Sequence, residues 1–310
     1  MTSKVATDDI PNDPGIVPIV SALLAVMIWA GNTVVARMSN GAMSAATISC
    51  LRWIIAGVAI TPWLALPTWR NRVRVLEWTR QLLTLSLLGM VLCQALVYLA
   101  AAQTSATHIG IIFATTPILT ILTSAALTRR LPSAGALGGT VISLIGLSYL
   151  LSHGAPSRLL TSGLGWADGL VLLSALCYAM YGLLLRRWSI PLPTWQLLYL
   201  QIIVAACLTL PWYLWDSSKP DAIPFSWRAS GLILYAGIGG SLAAPYFYLR
   251  SIQSIGPAKS SLMLNLMPVF VALVAGTQLG ETIGGPELIG GAVAIGGVVL
   301  GQLLGNRVAR

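Results

Sequence analysis

The sequence predicts an all-α integral membrane protein with ten transmembrane helices, arranged as two inverted five-helix repeats. Three observations carry that prediction. Of 310 residues, 56% are hydrophobic and only 9% charged, against roughly 25% charged in an ordinary soluble domain. The apolar residues lie in uninterrupted runs long enough to cross a hydrocarbon layer of about 30 Å as helix. The pattern also recurs within the chain: Tyr98-Leu99 with Gln103 and Pro117 returns as Tyr248-Leu249 with Gln253 and Pro268.

Taken in order, spans are expected near 17–36, 44–66, 81–102, 107–127 and 134–152, then near 164–186, 194–215, 229–250, 257–277 and 286–305. The first and sixth share Trp29-Ala30 with Arg37 and Tyr178-Ala179 with Arg186. The second and seventh close on Thr61-Pro62-Trp63 and Leu210-Pro211-Trp212, at the same offset. The fourth and ninth each carry a mid-span proline, Pro117 and Pro268. Such a proline removes one backbone donor and displaces the carbonyl four residues earlier, at a cost of about 3 kcal/mol in a soluble helix. In a bundle the break is tolerated where neighbours or water satisfy the freed carbonyl. The carbonyls of Phe113 and Leu264 are therefore expected in a site wall, with Pro117 and Pro268 as hinges.

These spans divide the chain into a flexible cytoplasmic tail (1–15), a first repeat (16–155), a second repeat (156–305) and a short cytoplasmic tail (306–310). The polar start, with Asp8, Asp9, Asp13 and Lys4, does not match the basic n-region of a signal peptide. Five spans is an odd number, so the second repeat enters the membrane in the opposite sense. Most basic residues then fall on one side, including Arg70, Arg72, Arg74, Arg80, Arg129, Arg130, Arg186, Arg187 and Arg250. The rule that cytoplasmic loops are rich in Lys and Arg places both termini in the cytoplasm, in a multi-pass inner (cytoplasmic) membrane protein.

Composition excludes other classes. The net charge of +9 resides in short clusters between apolar runs, without the aromatic-interleaved basic stripe of a nucleic-acid surface, so no nucleic-acid partner is expected. Cys50, Cys93, Cys177 and Cys207 stand singly, without the paired spacing of a zinc or redox site. No phosphate-cradling glycine loop, nucleophile-base-acid set or metal-spaced histidines occur, so no enzyme activity, cofactor or metal is expected. The expected partners are a small-molecule substrate and the lipid bilayer. Glycines of the fifth and last spans, among them Gly135, Gly139, Gly146, Gly290, Gly297 and Gly301, permit close helix contact, within the monomer or across a homodimer.

Ile28-Trp29-Ala30-Gly31-Asn32-Thr33-Val34-Val35-Ala36-Arg37 resembles the first-helix signature of the EamA branch of the drug/metabolite transporter superfamily. Leu51-Arg52-Trp53 is similar to the opening of that family's second helix. Thr104-Ser105-Ala106 leading to Pro117, and Leu279-Gly280-Glu281 before a glycine-rich last helix, extend the resemblance over about residues 17 to 305. It implies a ten-helix carrier of small metabolites, amino acids or drugs, with a central cavity between the halves. One departure is Arg129, which stands where many relatives carry a glutamate, so no role of that acid is carried over.

Helical spacing selects the residues expected around such a cavity. Trp29 and Asn32 share a face, as do Gln94 and Tyr98; Ser174, Tyr178 and Tyr181 do so on the sixth span, and Ser261, Asn265 and Pro268 on the ninth. A polar face in the bilayer turns toward partners or a wet cavity. Trp29, Asn32, Gln94, Tyr98, Thr115, Thr116, Tyr178, Tyr181 and Asn265 are the expected substrate-binding set. The competing readings are interfacial anchoring for the aromatics and interhelical hydrogen bonding for the amides. His108 reads as a corner residue, and Arg52 is expected to snorkel to the outer interface rather than pair a substrate carboxylate.

Asp168, Glu281 and Glu287 all fall at span ends, with no carboxylate at the membrane centre. A carrier exchanging protons for lipophilic cations needs such an acid, so neutral, zwitterionic or anionic solutes are favoured, and Asp168 is the one acid to examine for coupling. The leading expectation is a secondary transporter exporting a small amino-acid-like, zwitterionic or anionic metabolite by alternating access. Uptake of a similar solute and broad-specificity drug export are the alternatives within transport; an intramembrane enzyme or a membrane scaffold are those outside it.

Overall fold

The protein is described by a computed structural model over residues 16–39, 41–101, 103, 109, 112–113, 115–128, 134–152, 154–155, 157, 165–220, 229–279 and 284–305. The expected N-terminal tail, the tail at 306–310, Thr104-Ser105-Ala106, His108, Arg129 and Glu281 lie outside the described residues. Every regular element among the described residues is helical. The helices are α1 (Val17–Ser39), α2 (Ala45–Arg70), α3 (Thr79–Ala101), α4 (Thr116–Thr128), α5 (Ala134–Leu151), α6 (Trp166–Trp188), α7 (Thr194–Ser217), α8 (Ser230–Ile255), α9 (257–279) and α10 (Gly285–Gly305). A short helix, Arg72–Glu77, joins α2 to α3.

Six of these, α1, α2, α3, α6, α7 and α8, contain a stretch long and apolar enough to cross a membrane; α4, α5 and α10 contain shorter apolar stretches. Their outward faces are apolar: Val58 is 69% exposed and Ile145 62%. Trp63, Trp69, Trp166 and Trp215 are also exposed, toward the ends of their helices, where indole rings sit at the headgroup level. In water such a surface would drive aggregation; in lipid it is the solvated surface.

Packing follows the sequence duplication. α1 lies against α8 and α9 as α6 lies against α3 and α4, while α2 packs on the middle of α8 as α7 packs on the middle of α3. The remaining pairs, α2 with α7 and α5 with α10, join equivalent helices of the two halves. At one end, the Gln253 side chain accepts from Thr194 Oγ1 at 2.8 Å and the Gln253 carbonyl accepts from Arg186 Nη1. These bonds hold α6, α7 and α8 together.

α3 and α8 are not uniform helices. Ser86–Leu92 within α3 and Tyr235–Ala243 within α8 are π-helical, and the two segments begin at repeat-equivalent positions. π-turns are rare and gather at functional sites. The wider winding brings glycine to the seam between halves. A Cβ on Gly89 would stand 2.5 Å from the Tyr181 ring of α6, and one on Gly240 would stand 2.7 Å from Asn32 Oδ1 of α1.

The prolines behave differently from the sequence expectation. Pro62 and Pro211 do not end their helices: α2 continues to Arg70 and α7 to Ser217. The carbonyls freed by Pro117 and Pro268 are satisfied locally, as a break inside a bundle requires. Phe113 O accepts the Thr116 hydroxyl at 2.5 Å, and Leu264 O accepts the Met267 amide because Met263–Leu266 tightens to a 3-10 turn.

Gly139 and Gly146 of α5 and Gly297 of α10 pack against the backbone of the opposite helix. Added Cβ atoms on Gly139 and Gly297 would lie 2.4 Å from backbone atoms of the opposite helix, whereas Gly296 has nothing within 4 Å. Overpacking typically costs about 1–3 kcal/mol and more where backbone must move. Gly297→Val is therefore expected to lower the thermal unfolding temperature of the detergent-purified protein well below that of Gly296→Val. Equal midpoints for the two variants would contradict this packing.

Candidate functional site

The repeat-equivalent residues Trp29 and Tyr178 meet at the centre of the molecule, ring centroids 5.9 Å apart and nearly perpendicular. Tyr248 packs against both, at 5.2 Å from Trp29 and 5.5 Å from Tyr178, and Tyr181 stacks on Tyr178 at 5.8 Å. Each such pair contributes about 0.5–1.5 kcal/mol beyond its buried area. The cluster draws on α1, α6 and α8, and so ties both halves together. Trp29 Nε1 donates to the Gly240 carbonyl at 3.1 Å, fixing the indole against the π-helical segment of α8.

A small cavity adjoins this cluster. Its lining is mostly aromatic, from Trp29, Trp53, Tyr178, Tyr181 and Tyr248, with Arg52 and Gln94 as its polar side chains and Gly89, Met90, Gly240 and Pro245 completing it. Its volume is about 10 Å³, room for one water molecule. A space of this size is too small for an organic solute.

Arg52 is the main departure from the sequence reading. It does not snorkel: its side chain is 0% exposed. Nε donates to Ser241 Oγ at 2.5 Å, and Nη1 donates to Gln94 Oε1 and Tyr98 Oη, both at 2.9 Å. The guanidinium carbon lies 4.9 Å from the Trp53 ring centre and 5.7 Å from that of Tyr98. These partners are neutral, so hydrogen bonds and ring faces replace the water that a charge loses on burial, a loss worth several kcal/mol. The expectation of snorkelling failed because α2 turns Arg52 inward onto α3 and α8 rather than outward along its own axis.

The second half carries an uncharged counterpart. Gln201 of α7 occupies the position equivalent to Arg52, is 0% exposed, and accepts the Tyr181 hydroxyl at 3.1 Å; its Nε2 has no partner. Tyr181 is itself equivalent to Asn32, whose Nδ2 lies 3.4 Å from Tyr98 Oη and whose Oδ1 has no partner. A polar residue recurring at equivalent places in two apolar spans was the signal that could have singled out Arg52 and Gln201. Tyr248 was visible as a mark of the duplication, though not as a site residue.

Of the expected set, Trp29, Gln94, Tyr178 and Tyr181 line the cavity. Asn32 and Tyr98 stand behind them, joined to it through Gly240 and Arg52. Thr115 and Thr116 turn their hydroxyls to Ile112 O and Phe113 O. Asn265, on the 3-10 turn of α9, is fully buried with both amide atoms unpartnered. Asp168 starts α6, where its carboxylate accepts the Gly165 amide at 2.8 Å, and it is not among the residues lining the cavity. No acid lines the cavity among the described residues.

The chain has relatives over nearly its full length. A family described as the EamA-like transporter family matches twice, at residues 16–152 and 165–301. An uncharacterized transporter of Bacillus subtilis (strain 168), YyaM, is 24% identical over 93% of this chain and 93% of its own length. The uncharacterized inner membrane transporter YicL of Salmonella typhimurium is 24% identical over 94% and 96%. A solved crystal structure superposes with a TM-score of 0.72 at 19% identity, covering 94% of this chain and 99% of its own, a likeness of fold.

The Tyr181–Gln201 bond is the hydrogen bond that satisfies the buried Gln201 oxygen. Tyr181→Phe is expected to destabilise the protein by about 1–3 kcal/mol, the usual cost of orphaning a buried acceptor. Adding Gln201→Leu should recover much of the loss. A double-mutant cycle on thermal unfolding checks it; strictly additive effects would show the bond contributes nothing.

Proposed function

Because the chain belongs to the EamA-like transporter family, we propose that it is a secondary transporter exporting a small amino-acid-like, zwitterionic or anionic metabolite by alternating access. The observation that carries this reading is the closed aromatic and polar cavity where repeat-equivalent Trp29 and Tyr178 touch. Substrate sites of inverted-repeat carriers lie at such a junction, near the bilayer midplane. On this reading the helices form ten spans in two inverted halves of an inner-membrane protein, with both termini cytoplasmic.

The moving parts follow from the packing. α1 and α6 abut the π-helical segments of α8 and α3, so separating these contacts on one side at a time exposes the cavity alternately. Pro117 and Pro268 supply bending points, since the carbonyls they free are satisfied by a neighbouring hydroxyl and a tightened turn. The solute meets aromatic faces, Gln94 and Arg52. Export of a charged solute can draw on the membrane potential, worth about 2.3 kcal/mol per charge at 100 mV, enough for a gradient of roughly fiftyfold. Asp168, at the start of α6, is the acid through which proton coupling would be sought.

Small molecules inside and outside cells lacking the protein, and cells overproducing it, are to be compared by untargeted mass spectrometry. Export predicts one solute class accumulating inside the deletion strain and outside the overproducer; its depletion inside the deletion strain would favour uptake instead. Asn265→Leu removes no hydrogen bond, because neither amide atom has a partner. It is therefore expected to fold normally and lose flux, and unchanged export in this variant would remove Asn265 from the substrate path.

A further inference from the structure

Resting on the carrier reading, we propose that Arg52 is the receptor for a carboxylate group on the transported solute, and that the solute takes the place of Ser241 on the guanidinium. The inference deepens the substrate class: an organic carboxylate with a flat or apolar body.

Among the described residues, no opposite charge is hydrogen-bonded to Arg52. All of its hydrogen-bond partners among the described residues are uncharged: Ser241, Gln94 and Tyr98. The ion pair found among the described residues, Lys219 with Asp216, lies elsewhere. A guanidinium wholly withdrawn from water is costly unless an anion joins it, and Arg52 borders the central cavity directly.

Its geometry suits a carboxylate. The two protons of Nη1 are committed to Gln94 and Tyr98, which hold the plane of the group from the first half of the chain. The edge formed by Nε and Nη2 is the side open to exchange. Among the described residues Nε is held by the Ser241 hydroxyl, and Nη2 lies beside Gly240, where an added Cβ would stand 3.5 Å away. A carboxylate forms two parallel bonds with such an edge, stronger than one neutral hydroxyl provides. Ser241 does not suffer by leaving, since its Oγ already donates to Ala236 O at 2.8 Å.

The exchange has a mechanical consequence. The Arg52–Ser241 bond joins α2 of one half to the π-helical segment of α8 in the other. A solute that displaces Ser241 releases that tie, so binding favours separation of the halves. The Trp29, Tyr178 and Tyr248 rings, which line the same cavity, receive the rest of the molecule. Because the equivalent place in the second half holds neutral Gln201, the site is charged on one side only and orients the solute.

The test uses the full-length protein purified in detergent, with phenylacetate and 3-phenylpropionate as probes, their neutral amides as controls and sodium chloride as the inorganic anion. Binding is read from tryptophan fluorescence and from the unfolding temperature. The acids are expected to bind at least about tenfold more tightly than their amides, with chloride at equal concentration giving no comparable shift. Arg52→Gln, which installs the side chain the second half already carries, should erase the preference, and Arg52→Lys should keep a weakened one. Ser241→Ala should bind the acids several-fold more tightly, because it removes the competitor; a purely structural Arg52 would not produce that gain. Equal binding of acids and amides, no binding of either acid, an equal effect of chloride, or an undiminished preference in folded Arg52→Gln would each overturn the proposal. Flux of the bound acid into proteoliposomes separates the two readings. Arg52-dependent binding without flux leaves the receptor standing and removes the carrier; flux unaffected by Arg52→Gln does the reverse.

Discussion

A backbone immersed in hydrocarbon must satisfy every amide and carbonyl within the protein, and this constraint shapes the whole chain. It makes helices of the apolar runs and confines irregular winding to places where protein covers it. The departures from α-helix at 86–92, 235–243 and 263–266 occur beside the central cavity or on the helices packed against it. Where proline breaks the ladder at Pro117 and Pro268, a threonine hydroxyl and a tightened turn take up the displaced carbonyls. The cost of irregularity is thus met locally.

Duplication supplies the second organising element, and its imperfections carry the chemistry. Helix contacts repeat in pairs, so the two halves meet along a seam lined by equivalent residues. Trp29 and Tyr178 face one another there, as a pseudo-symmetric arrangement requires of residues close to its axis. Where the copies diverge the site acquires direction. Arg52 against Gln201 puts one positive charge in an otherwise neutral wall, and Asn32 against Tyr181 gives the two sides different hydrogen-bonding capacity.

The cavity is small because the seam is built from glycine. Gly89 and Gly240 let α6 and α1 approach so closely that a methyl group on either glycine would overlap the opposing side chain. α5 and α10 use glycine differently, to lock two backbones together at a distance from the cavity. The same residue type brings a helix against side chains in one place and against backbone in the other.

Much of this could be read before any coordinates. Low charge and long apolar runs announced a membrane protein because hydrocarbon admits little else, and the recurrence of Tyr98 and Pro117 as Tyr248 and Pro268 announced two related halves. Four of the expected residues, Trp29, Gln94, Tyr178 and Tyr181, were found on the cavity wall because a polar or aromatic face on an apolar helix turns inward. Periodicity gives the face of a helix but not its neighbour. Tertiary packing alone decided that Arg52 is buried against Tyr98 and Ser241, that Thr115 and Thr116 turn back to their own backbone, and that Tyr248 closes the aromatic cluster. A side chain of arginine's length reaches either an interface or a core from the same position on a helix, and which it reaches depends on the helices packed beside it.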